Sequence, residues 1–291
     1  MENDAPAEIV AISSQVVRGS VGNRAVVFSL EATGHPVLSL PTVILSWHPG
    51  HGPSTRCAID DDAFLKILED IARSERASSI RAVITGYFAS PSQAGATAEF
   101  VARLKARNPG LLYLCDPVIG DEDRLYVSDA IAEVVRDQLI PIADIATPNR
   151  FELGWLAGAP LDSNAQALEA ALSLGPRRVL VTSAVAMMAG GTGNLLLTER
   201  HALLAEHRLV DNAPKGLGDL TAALFLSRLI KGDSDERALQ MATASVFEIL
   251  ARAVKRGSQD LMLAEDHHSF STPMAMVQMR HLLHPARKRT S

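Results

Sequence analysis

Residues 212–229, NAPKGLGDLTAALFLSRL, put two glycines and an acid directly ahead of a long apolar run at helical spacing. Successive backbone N–H groups in a glycine turn, at the positive end of a helix, can hold an anion. Asp219 in that position could also take a proton from an attacking hydroxyl. The same four residues, Gly216-Leu217-Gly218-Asp219, equally describe an ordinary turn with an aspartate capping the helix that follows. The local pattern leaves both readings open.

Other stretches carry further chemistry. CDPVIGDEDRLYV (115–127) sets Asp116 and Asp121 just after a strand-like run, and TPNRFELGWL (147–156) carries Asn149 and Glu152. Acids at strand ends can hold Mg²⁺, with water and substrate phosphates completing its shell. Asn149-x-x-Glu152 is also the pattern of a capped helix start. SWHPGHG (46–52) places His48 and His51 in a Pro/Gly loop with no Cys or acid beside them, a mobile loop near a ligand rather than a zinc site. Neither G-x-G-x-x-G after the first strand nor G-x-x-x-x-G-K-[ST] occurs, so any phosphate is held by another device. GGTGN (190–194) lacks a lysine and reads as a hairpin turn.

The elements that must position these residues alternate. Strand-like runs at 8–13, 36–45, 80–87, 111–120, 144–149 and 177–184 are separated by helical patterns. The helices fall at 22–34, 61–76, 92–108, 128–138, 150–157 and 163–174, with two more at 219–231 and 235–255. The segment 186–209 breaks the rhythm and reads as short antiparallel strands. The pattern is that of an α/β fold: a doubly wound, mostly parallel sheet with helices on both faces. In such sheets ligands bind beyond the carboxyl ends of the strands. There Ser13, Ser14, Thr85, Tyr87, Asp116, Asp121, Thr147, Asn149, Thr182 and Ser183 recur. One domain over 1–270 is expected, with a basic, solvated tail over 271–291.

Bulk properties exclude several classes. A net charge of −5 gives no nucleic-acid surface, and two cysteines, Cys57 and Cys115, are too few for a disulfide framework. MENDAPAEIV lacks the basic start and apolar core of a signal peptide, so none is expected, and no apolar run reaches the ~20 residues of a membrane span. A soluble, cytoplasmic protein is expected.

Taken together, SQVVRGSVGNRA (14–25), TGYF (85–88), CDPVIGD (115–121), IADIATPNRFE (142–152), VLVTSA (179–184) and GLGD (216–219) resemble, in collinear order, the pyridoxal kinases of the ribokinase superfamily. The resemblance runs from Ile9 to about residue 256. It implies a ribokinase-like fold, ATP and Mg²⁺ as co-reactants, with a monovalent cation such as K⁺ in some members, and usually a homodimer. The implied reaction is phosphorylation of the 5′-hydroxymethyl group of pyridoxal, pyridoxine or pyridoxamine. Asp219 would be the base, and Gly216, Leu217 and Gly218 the anion hole. Ser14, Val43 and Tyr87 would line the vitamer pocket. Asp116, Asp121, Tyr126, Thr147, Asn149, Glu152, Thr182 and Ser183 would surround nucleotide and metal, with Asp116 and Glu152 nearest the metal.

Two departures bear on the substrate. The usual SNHTGY-type loop is here SWHPGH, so Pro49 removes both a hydroxyl and an N–H. Leu217 stands where Thr is common, a change that leaves the backbone N–H groups in place. The altered loop motivates two alternatives: a hydroxymethylpyrimidine kinase of the same fold, and a non-catalytic protein that binds B6 vitamers.

Overall fold

Val- and Ile-rich runs form the strands, because branched side chains pack well on a pleated surface covered on both faces. A computed structural model of the protein describes residues 8–121 and 124–286. The strands are β1 (Glu8–Val16), β2 (Val37–Leu45), β3 (Arg56–Ala58), β4 (Ile80–Thr85), β5 (Leu112–Cys115), β6 (Gly120–Asp121), β7 (Arg124–Leu125), β8 (Ile145–Ala146), β9 (Arg178–Val185), β10 (Gly191–Thr198), β11 (Ala202–Arg208) and β12 (Gln278–His281). The helices are α1 (Asn23–Ala32), α2 (Asp61–Arg73), α3 (Pro91–Arg107), α4 (Asp129–Val134), α5 (Arg150–Ala157), α6 (Asn164–Leu174), α7 (Leu217–Ile230), α8 (Asp235–Lys255) and α9 (Leu263–Asp266).

One large sheet runs in the order β12-β11-β10-β9-β8-β5-β4-β1-β2-β3, while β6 and β7 form a separate small hairpin. The pairs among β2, β1, β4, β5, β8 and β9 are parallel, and β3, β10, β11 and β12 add antiparallel margins. Alternate residues of each strand face opposite layers. Ile9 and Ala11 pack with α1, α7 and α8, whereas Val10 and Ile12 pack with α2 and α3. The sheet is therefore doubly wound, as its alternating pattern implies.

From β1 the chain moves to β2 on one side and later returns to β4 on the other. The topological switch point thus lies between β1 and β4, where the crevice of such a sheet opens. The backbone ladder continues past the strand ends there. Gly86 N–H donates to Ile12 O at 2.9 Å, Asp116 N–H to Thr85 O at 2.9 Å and Thr147 N–H to Cys115 O at 3.0 Å.

Three expectations are corrected. The strand expected over 111–120 stops at Cys115, because Pro117 cannot donate to a ladder and Val118 adopts φ 43°. The turn expected at 190–194 lies earlier, before Gly191; Gly191-Thr192-Gly193-Asn194 are part of β10, paired with both β9 and β11. A Cβ on Gly193 would come 2.7 Å from Ala205 O, so this glycine serves close packing rather than a turn.

The third correction concerns the solvated tail over 271–291, for its described part to residue 286. Met274 and Ala275 donate backbone N–H groups to Glu248, at 2.5 and 2.9 Å, and β12 pairs with β11. Arg280 reaches the fully buried Glu206 carboxylate. Together these tie down a segment expected to be solvated. Residues 287–291 lie outside the described residues.

Candidate active site

The turn before α7 lacks the capping contact that its sequence allows. Gly216 is the N-cap residue and no side chain caps the helix. Asp219 is therefore not a cap; it lies in the first helical turn, and no side chain among the described residues caps the leading N–H groups. Gly216 has φ 99°, and a Cβ there would lie 2.0 Å from Ser20 O. Both backbone conformation and space require glycine. Leu217 packs its side chain against the α1–α7–α8 core, which explains how an apolar residue fits this turn. Its carbonyl accepts from Thr221 Oγ1 at 2.7 Å.

Asp219 faces the switch point. A small cavity there is lined by Ser13, Asn23, Thr85, Gly86, Asp116 and Asp219, among others. Burial pushes the Asp219 carboxyl up to about 6, and a hydrogen bond from Gly22 N–H partly offsets that rise. Gly22 packs directly on Ser14: a Cβ at Gly22 would lie 2.3 Å from Ser14 O and 2.5 Å from its Oγ. Ser14 is thus one residue removed from the base. Ser13 Oγ accepts from Tyr87 N–H at 3.1 Å and so fixes the turn after β4. The Tyr87 hydroxyl accepts from Arg56 at 2.9 Å, and the guanidinium lies 5.6 Å from the ring centroid.

A second group of acids lies beside Asp219. Asp116 is buried and accepts from Thr147 Oγ1 at 3.0 Å. Burial raises its carboxyl well above the ordinary value, and the charges of Glu152 and Asp219 raise it further. Glu152 accepts three backbone N–H groups, from Ile119 at 2.9 Å, Gly120 at 3.3 Å and Asn149 at 2.9 Å. Even so, burial takes its carboxyl up to about 7.

Asn149 and Glu152 form a reciprocal capping box on α5. Asn149 Nδ2 also donates to Gly120 O at 2.8 Å. The capping reading is therefore correct, and its acid is buried against the 116–120 loop as well. Val118 in that loop has φ 43°, rare for a β-branched residue and a sign of local strain beside the acids.

The remaining candidates fall around this core. Tyr126 donates its N–H to Ile119 O at 3.0 Å, and its phenol is held above the ordinary value by desolvation and by Glu152, Asp116, Asp219 and Asp121. Asp121 is exposed, 3.8 Å from Lys215 Nζ, which links the β6–β7 hairpin to the glycine turn. Thr182 N–H donates to Pro148 O at 3.0 Å, and Ser183 is exposed with φ 55°. Val43 departs from expectation. Its side chain is fully buried in β2 and presents no surface to a ligand.

The 46–52 loop stands over this end of the sheet. His48 Nδ1 accepts from Gly50 N–H at 3.0 Å, and burial together with Lys215 and His51 lowers the His48 imidazole. Among the described residues no three or more His, Cys, Asp or Glu form a metal cluster. Lys215, Gly22 and Arg56 were not legible as site residues. The lysine's place directly before the glycine turn was the one available signal.

A switch-point crevice with an uncapped helix start and a half-buried carboxylate at its edge is suited to holding a phosphate beside a proton acceptor. The family model for phosphomethylpyrimidine kinase matches residues 59–264. A pyridoxal kinase PdxY of Leifsonia xyli is 35% identical over 272 residues, covering 91% of this chain and 96% of that protein. A pyridoxine/pyridoxal/pyridoxamine kinase of Bordetella avium is 37% identical over 263 residues, covering 88% of each. The solved pyridoxal kinase of Leishmania donovani with ADP and pyridoxamine superposes with a TM-score of 0.89 at 26% identity, over 95% of this chain and all of that one. The chain belongs to the phosphomethylpyrimidine kinase family and, within it, to the pyridoxal kinases.

Proposed function

We propose that the protein transfers the γ-phosphoryl group of ATP to the 5′-hydroxymethyl group of pyridoxal and its vitamers. The observation that carries this is the placement of Asp219: half-buried, not engaged as a cap, and in the first turn of a helix whose N–H groups are free to hold phosphate. Its carboxylate takes the hydroxyl proton as the alcohol attacks. The N–H groups of Gly216, Leu217 and Gly218 stabilise charge on the transferring group. Ser14 and Tyr87 hold the vitamer ring, while Asp121, Tyr126, Thr147, Asn149, Thr182 and Ser183 border the nucleotide. Kinship to enzymes named for B6 vitamers across most of the chain supports pyridoxal over hydroxymethylpyrimidine.

The donor set fits a hydrated Mg²⁺. Asp116 and Glu152 are buried acids whose mutual repulsion a dication relieves, and Mg²⁺ commonly takes one or two carboxylates with water and phosphate. Asp116 would meet the ion, and Glu152 its water shell, since both Glu152 oxygens already accept backbone N–H groups. The ion would neutralise phosphate charge. A monovalent cation such as K⁺ and a homodimeric assembly complete the proposal on the same kinship. No helix among the described residues is long and apolar enough to cross a membrane. On the kinship to the pyridoxal kinases we place the protein in the cytoplasm.

A substrate panel tests the reading. With ATP and Mg²⁺, pyridoxal should be turned over with a higher kcat/KM than a hydroxymethylpyrimidine on the same preparation. The reverse order would assign the other activity. Tight vitamer binding without transfer would make the protein a binder.

A further inference from the structure

Asp260 lies outside the groups that reach phosphate or base, yet two loops of the acceptor end converge on it. His51 Nε2 from the 46–52 loop is 3.4 Å from its Oδ1, and Arg18 Nε from the 17–22 loop is 3.8 Å from its Oδ2. Gly19, at φ 108°, packs so closely that a Cβ would lie 3.1 Å from the same carboxylate. The next residue, Leu261, accepts from Ser20 Oγ at 2.7 Å. Arg18 N–H also donates to Ser46 O at 3.0 Å, and Val17 N–H to Leu45 O at 2.8 Å, so the two loops rise together from β1 and β2.

The far end of the 17–22 loop touches the phosphate turn. Ser20 O occupies the space that a side chain at position 216 would need, and Gly22 N–H binds the base. A continuous path therefore runs from the 46–52 loop through His51 and Asp260 into the loop that backs Gly216 and Asp219. Asp260 and His51 are both largely covered, with side chains 28% and 29% exposed, whereas Arg18 is 74% exposed. His51 is thus the better-defined partner, because the pair with the solvated Arg18 contributes little.

We propose that Asp260 is a positioning residue for the acceptor alcohol: through His51 it pins the 46–52 loop against the loop behind the phosphate turn. The inference rests on the reading that the alcohol enters at this end. Asp260 reaches no substrate atom. It sets how the loop sits over the pocket, so its loss weakens acceptor binding and spares nucleotide binding.

The test is steady-state kinetics on Asp260→Asn, His51→Ala and the double variant, varying pyridoxal and ATP separately. Each single variant should raise KM for pyridoxal about three- to fivefold, the size expected for loss of one partly exposed polar contact. KM for ATP and kcat should stay within about twofold, and the double variant should be no worse than the poorer single one. His51 sits on a surface loop, so its variant keeps the test interpretable if Asp260→Asn folds poorly. Multiplying effects, an unmoved pyridoxal KM, or equal changes for both substrates would overturn the proposal while wild type still turns over pyridoxal. A wild type without that turnover would overturn the functional reading, and the proposal with it.

Discussion

Replacing Asp219 by asparagine should stabilise the fold above neutrality while removing activity. Burial moves the carboxyl from 3.8 to about 6 in the folded chain. At about 1.36 kcal/mol for each pH unit between those two values, ionising Asp219 in place costs the native state roughly 3 kcal/mol. The sign follows from proton binding. Below about pH 4 the carboxyl is protonated in both states and asparagine gives no gain. Between pH 4 and 6 the unfolded chain loses its proton first, so wild-type stability falls as pH rises. Above about 6 both states are ionised and the full penalty persists. Removing the charge also relieves Asp116, whose carboxyl Asp219 raises. Urea unfolding of both proteins from pH 4 to 8 should show a gain that grows to about 2–3 kcal/mol and then levels off, a rise of several degrees in Tm for a chain of this size. A pH-independent difference, or a destabilised variant, would refute the claim that this carboxylate is held ionised against burial.

Gly216→Ala should lose about 2–4 kcal/mol and most of its turnover, because a side chain at φ 99° meets Ser20 O at 2.0 Å; Tm and kcat measured together check this. Glu152→Ala leaves the N–H groups of Ile119, Gly120 and Asn149 without their acceptor, at a cost of about 3 kcal/mol or more, and denaturant unfolding reads it. Arg280→Met should leave Glu206 buried without its cation, cost about 3–5 kcal/mol, and release β12, seen as faster amide exchange over residues 278–281.

The alternation of strands and helices was legible because each element carries its own period. The two faces of the sheet are written in neighbouring residues such as Ile9 and Val10. Asp116, Thr147, Asn149, Glu152 and Asp219 were legible as site candidates because all follow strands or open helices on one edge of the sheet. What failed was non-local. Pairing of β12 with β11 depends on Glu206 and Glu248, buried acids far away in sequence, and nothing in residues 271–286 announces a strand. Val43 enters as a pocket residue only through the resemblance, and its complete burial in β2 is not legible in the local pattern. Asp260 gained meaning only when folding brought it to His51 and Arg18. The question of capping against catalysis at Asp219 likewise needed backbone geometry, since both readings share the residues Gly-Leu-Gly-Asp.

The most direct test of the account compares wild type with Asp219→Asn in forming pyridoxal 5′-phosphate from pyridoxal and ATP with Mg²⁺. Wild type should turn over, and the variant should fall by about 10²–10⁴-fold in kcat, as loss of a general base requires, while its ATP affinity stays near that of wild type. A variant that retains wild-type kcat would show that Asp219 is not the group that takes the proton.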